Sequence, residues 1–157
     1  MKTNIFNVDF QEFIDALNQA KVRYILVGGY SVILHGYSRT TGDMDIWVDK
    51  TKENYDALKK AFYIFGMPVF DMTVSNFLDN PSLDVFTFGR PPVAIDIITT
   101  IKGLQFQDTY AHALDYQIDD DTTLSVKLIH LKDLITTKQA SGRARDINDI
   151  ENLSPKN

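Results

Sequence analysis

Apolar residues along the chain recur with two periods, and those periods mark out its elements. Over residues 7–20, Phe10, Phe13, Ile14 and Leu17 repeat at helical spacing, with Asn7 or Asp9 in place to cap the N-terminus. Residues 24–27 form an unbroken apolar run of the length a buried strand takes, and the run stops at Gly28-Gly29. Residues 30–35 predict a short helix, and Gly36 stands where a C-terminal glycine belongs. Residues 43–48, Asp-Met-Asp-Ile-Trp-Val, alternate polar with apolar. On a strand this puts Asp43 and Asp45 on one face, with Met44 and Ile46 on the other.

The rest of the chain continues the mixture. Residues 51–65 predict a helix with Thr51 as cap, Glu53 in the first turn and Gly66 as stop. Residues 67–80 are less regular, with Thr73 placed to cap a short helix before Pro81. Residues 83–88 and 93–99 predict two strands joined by Gly89-Arg90-Pro91-Pro92. A short helix near 108–113, a polar strand near 115–118, a solvated turn at Asp119-Asp120-Asp121 and a strand at 123–128 follow. The segment from His130 predicts two helices broken at Ser141-Gly142. Strands and helices alternate without regular βαβ order, so the expected class is α+β: a small mixed sheet flanked by helices. With no repeat or linker, residues 1–157 read as one domain, its core over about 22–128 and its C-terminal helices over about 130–153.

The chemistry concentrates in three places. Two carboxylates one pleat apart repel each other unless a cation lies between them. With oxygen ligands alone, a hard divalent ion, Mg²⁺ or Mn²⁺, is the natural occupant. A Gly-Gly turn opening a helix offers backbone N–H groups to phosphate. Third, Asp96 sits inside the apolar run Val-Ala-Ile-Asp-Ile-Ile, where a carboxylate needs either a cation or a hydrogen-bonding partner at the strand end.

Gly28-Gly29, a helix, then Asp43-x-Asp45 resembles the signature of the DNA polymerase β-like nucleotidyltransferase superfamily. The longer string, Gly-Gly-Tyr-Ser followed by His35-Gly36-x-x-Arg39-x-Thr41-x-Asp43-x-Asp45, is similar to the small bacterial branch near the AbiEii-like and minimal nucleotidyltransferase groups. The resemblance implies a metal triad of Asp43, Asp45 and Asp96, the last as the third carboxylate on a later strand. It implies nucleotide contacts from Gly28, Gly29, Ser31, Arg39, Lys138 and Arg143. Lys138, Arg143 and Asp146 match a C-terminal Lys-x4-Arg-x-x-Asp pattern of the same groups. Alternatives accompany these roles. Ser31 either donates to phosphate or caps its helix. Arg39 either binds nucleotide or lies on a surface loop. Lys138 and Arg143 either reach phosphates or belong to a paired face, with Arg143 bridging Asp146 at i,i+3. Thr41 shapes the turn into the strand, His35 packs or bonds locally, and His112 and His130 are given no role.

Composition narrows the setting. Cysteine is absent, which excludes disulfides and thiolate chemistry. The N-terminus lacks the apolar core of a signal peptide, and no run approaches the roughly 20 residues of a membrane span, so a cytoplasmic protein without membrane contact is expected. The net charge of −5 argues against a protein that coats nucleic acid through its overall field. The expected function is metal-dependent transfer of NMP from an NTP to a hydroxyl acceptor (small molecule, protein side chain or RNA end) with release of pyrophosphate. The alternative is a toxin or antitoxin module acting mainly through a protein or RNA partner. A metal-dependent phosphodiesterase is a third reading, disfavoured because it has no need to hold a triphosphate.

Overall fold

The computed structural model describes residues 4–90 and 93–153. Pro91 and Pro92 of the expected 89–92 turn lie outside the described residues, as do residues 1–3 and 154–157.

The strands follow the alternation of the sequence. β1 (Tyr24–Val27) pairs antiparallel with β2 (Met44–Val48), and β2 pairs parallel with β4 (Val93–Ile98). β3 (Val85–Arg90) forms the antiparallel edge beyond β4. On the other flank β6 (Ser125–Leu128) runs parallel to β1, and β5 (Leu114–Gln117) closes that side antiparallel to β6. The result is one mixed six-stranded sheet in the order β3-β4-β2-β1-β6-β5. The α+β class with a small mixed sheet flanked by helices is therefore the observed fold.

One face of the sheet carries Met44, Ile46, Ile95, Ile97, Phe86 and Phe88, all buried. Three helices cover it: α1 (Val8–Gln19), α3 (Lys52–Phe65) and α4 (Val74–Asp79). α1 buries Phe10, Phe13, Ile14 and Leu17. Each such side chain contributes about 1.5–3 kcal/mol on burial, so this stripe, more than helix propensity, fixes the helix. Phe13 meets Phe62 edge-on at 5.5 Å, Phe62 meets Phe88 at 4.7 Å, and Phe77 lies beside Phe86 at 6.5 Å. The opposite face carries Asp45, Trp47, Asp96 and Val85, and over it lie α5 (Phe106–His112), α6 (Leu131–Ser141) and α7 (Ala144–Leu153). No described helix is long and apolar enough to cross a membrane.

The caps fall where the sequence puts them. Asn7 accepts from Phe10 N at 2.8 Å, Thr51 from Asn54 N at 3.1 Å and Thr73 from Asn76 N at 3.1 Å. Three of the boundary differences have a visible cause. The helix expected at 30–35 is α2 (Gly28–Leu34), so the glycine pair is its first turn and not a loop before it. β3 runs on through Gly89 and Arg90, which pair with Ala94 and Val93 rather than forming the turn. Gly89 permits this with φ +81° and a close approach to the Val93 carbonyl, which a Cβ would overlap. α5 starts two residues early because Phe106 docks edge-on against Trp47 at 5.2 Å.

Candidate active site

Register puts the acids together. Asp45 is paired with Asp96 across β2 and β4, and Asp96 with Thr87 across β4 and β3. Side chains paired across adjacent strands share a face, so the three stand in one row. Asp43 precedes β2 by one residue and lines the same pocket. Asp96 does find a protein partner: Thr87 Oγ1 donates to its Oδ1 at 2.6 Å. The Asp45 carboxyl beside it is pushed up to about 7. Burial is the largest cause, followed by the Asp96 carboxyl and the charge of Asp43, with Arg145 pulling the other way.

The glycines are required by what lies against them. Gly28 has φ +71°, and an added Cβ would lie 2.8 Å from Asp45 Cγ and overlap its carboxylate. A Cβ on Gly29 would lie 2.7 Å from that of Thr41 and overlap its hydroxyl. The pair thus lets the Asp45 carboxylate and the loop before β2 close onto the start of α2. Ser31 does not join them. It is fully buried, and its Oγ donates to the Gly28 carbonyl at 2.6 Å, bracing the first turn of α2 away from the pocket. His35 bonds far along the chain, its Nε2 donating to the Ile129 carbonyl at 2.6 Å; burial lowers its pKa.

Basic side chains form the opposing wall. Lys138 of α6 reaches Asp149 at 2.8 Å and Asp146 at 3.3 Å. Arg143, between the two helices, meets Asp146 at 2.7 Å through the i,i+3 bridge. Arg39 Nε lies 3.1 Å from Asp149 Oδ1, with weak directionality: neither atom finds a well-aligned hydrogen bond. Burial would raise the Asp146 carboxyl, but bonds from Arg143 and Lys138 outweigh it and hold the group below its ordinary value. Lys138 and Arg143 are therefore ion-paired and line the pocket at the same time.

Sequence reasoning passed over Arg145 and Asp149. Arg145 lines the pocket from an exposed position on α7. Nothing in its spacing distinguishes it from a solvated arginine. Asp149 is fully buried, three residues after Asp146 on the same helical face, and that spacing was a usable signal.

Together Gly28, Gly29, Arg39, Thr41, Asp43, Asp45, Asp96, Lys138, Arg143, Arg145 and Asp146 border a cavity of about 360 Å³. Among the described residues no three acidic, histidine or cysteine side chains converge as a ready-made metal cage. The donors are all carboxylate oxygens, and crowding among them raises the Asp45 carboxyl. That set suits a hard ion such as Mg²⁺, which commonly takes one or two carboxylates and completes its shell with water and substrate phosphate.

A small mixed sheet of this order, flanked by helices, is consistent with a nucleotidyltransferase-like fold. The chain belongs to the family described as nucleotidyltransferase of unknown function (DUF6036), whose pattern it matches over residues 5–154. No curated protein is significantly similar to it.

Proposed function

We propose that the protein transfers a nucleoside monophosphate from a nucleoside triphosphate to a hydroxyl acceptor, releasing pyrophosphate, with Mg²⁺ or Mn²⁺ as cofactor. The observation that carries this reading is the row of Asp45 and Asp96, with Asp43 beside it, facing Arg39, Lys138, Arg143 and Arg145 across one cavity. Acids alone would suit many metal hydrolases. Acids opposite a basic wall suit a substrate that is itself polyanionic and is cut at an internal phosphate.

In this reading Asp43, Asp45 and Asp96 would hold the cation, which when bound would neutralise charge on the phosphates and acidify the attacking hydroxyl. Lys138, Arg143 and Arg145 bind the departing pyrophosphate portion, and Arg39 approaches it from the loop before β2. Gly28 leaves the Asp45 carboxylate accessible beside the backbone. Asp146 and Asp149 keep the basic groups oriented, and fork-shaped guanidinium groups have donors left over for phosphate.

Calorimetric titration with each of the four NTPs, with and without Mg²⁺, tests the proposal. Metal-dependent binding that disappears in Asp43→Ala/Asp45→Ala is the expected result. Absence of binding by any NTP to the wild type, with either metal, would overturn it. Pyrophosphate among the products separates transfer from phosphodiester hydrolysis.

A further inference from the structure

Beyond Asp96 the sheet ends at β3, and beside that free edge lies a second cavity of about 570 Å³. Phe70, Val85, Phe88 and Thr87 border it, with Asp71 and Arg90 as its charged residues. Phe70 is unusual twice over. Its backbone sits at φ +48°, a left-handed conformation that a bulky residue seldom adopts. The residue is 65% exposed, and its ring rests only obliquely on Phe88 at 6.4 Å between centroids. Val85 on the neighbouring strand is 44% exposed. Water thus meets an aromatic ring and a branched side chain that burial would stabilise, around a space of the size that ring-bearing small molecules fill.

The cavity adjoins the acid row. Thr87 borders it and donates to Asp96 Oδ1 at 2.6 Å. Val85 borders both this cavity and the space under α6 that contains Gly28, Asp45 and Lys138. Phosphoryl transfer proceeds with attacking and leaving oxygens roughly in line. If the leaving pyrophosphate lies toward Lys138, Arg143 and Arg145, the attacking oxygen must come from the far side of the acids. Asp96, bonded to Thr87, is the acid next to the β3 edge and so the one that an acceptor at that edge would meet.

We propose that this cavity is the acceptor site and that the acceptor is a small alcohol with an aromatic or similarly flat apolar body. The inference rests on the transferase reading above. The ring packs on Phe70 and Val85, and the hydroxyl lies toward Thr87 and Asp96. The acceptor oxygen forms a bond to the α-phosphorus, the bond from that phosphorus to the bridging oxygen breaks, and pyrophosphate leaves with the electron pair. The hydroxyl proton passes to water.

The test uses the full chain and benzyl alcohol as probe, with glycerol as a hydroxyl-bearing control that lacks the ring. Backbone amide resonances of Phe70, Val85 and Thr87 are followed during titration in the presence of Mg²⁺ and an NTP analogue that cannot be cleaved. Benzyl alcohol should shift them and glycerol should not. Phe70→Gly removes the ring and relieves the left-handed strain, so its melting temperature should hold or rise while benzyl alcohol affinity falls about tenfold. With a cleavable NTP, benzyl alcohol should raise pyrophosphate release, and Phe70→Gly should raise the concentration of alcohol needed. If NTP binds normally but benzyl alcohol moves no resonance, moves them no more than glycerol does, or binds Phe70→Gly equally well, the acceptor assignment is overturned and the transferase reading stands. If the wild type binds no NTP, both fall.

Discussion

Gly28 carries a constraint that its small size conceals. It combines φ +71° with the Asp45 carboxylate pressed against its Cα. Gly28→Ala therefore meets both backbone strain and a collision, and a loss of about 1–3 kcal/mol of stability is expected in chemical denaturation. Metal-dependent NTP binding should weaken in the same variant, because the collision displaces Asp45. Gly36, at φ +110°, should also be strained by Ala but meets no collision, so metal-dependent NTP binding should be unaffected there. Asp45 itself makes stability depend on pH. Its carboxyl is raised from 3.8 to about 7 in the folded chain. Between roughly pH 4 and 7 the folded state therefore holds a proton that the unfolded state has released, and stability falls as pH rises through that window. Thermal melts in EDTA across pH 4–8 should show the decline. Asp45→Asn should flatten it and melt above the wild type at pH 7.

Among the elements, α7 is the one whose contribution the sequence hid. Its most buried side chains include two carboxylates, Asp146 and Asp149, so it docks partly through charge. Asp149 is fully buried, with Lys138 at 2.8 Å and Arg39 at 3.1 Å. Removing one member of a buried ion pair leaves the other uncompensated, at a cost of about 3–5 kcal/mol. Asp149→Ala should approach the low end, since Lys138 keeps Asp146, and urea denaturation measures the loss. Arg39 then loses its anchor, so NTP affinity should fall too. The sequence made the caps, the amphipathic α1 and the Asp43-x-Asp45 strand legible, because each depends on residues within a few positions of one another. The Asp45–Asp96–Thr87 row was legible only in part. Asp96 announced itself as an acid in an apolar run, but its register against Asp45 depends on which strands become neighbours. Ser31 stayed open in the sequence for a local reason: a serine in a first helical turn can face outward or bond back to the chain, and here it is buried on the Gly28 carbonyl.

For the molecule as a whole, the charge distribution matters more than its sum of −5. Acids and bases face each other across a small cavity, and a bound divalent ion would relieve the repulsion among the acids. A ligand that binds the folded state alone raises stability by mass action. Millimolar Mg²⁺ should therefore raise the melting temperature at pH 7.5 relative to KCl of equal ionic strength. The increment should vanish in Asp43→Asn/Asp45→Asn. A melt that responds to ionic strength alone would remove the case for a metal at the acid row.

The two walls of the cavity come from separate stretches of the chain. Every acid of the row lies by Asp96, whereas Lys138, Arg143 and Arg145 belong to α6, α7 and the break between them. During translation the acids leave the ribosome some forty residues before the bases that oppose them. A nascent chain released as far as Ile129 could pair all six strands yet hold no more than Arg39 against a triphosphate. Under the proposed function, nucleotide capture would be deferred until the helices behind the sheet have been made, and a stalled fragment would carry an acidic cleft faced by Arg39 alone.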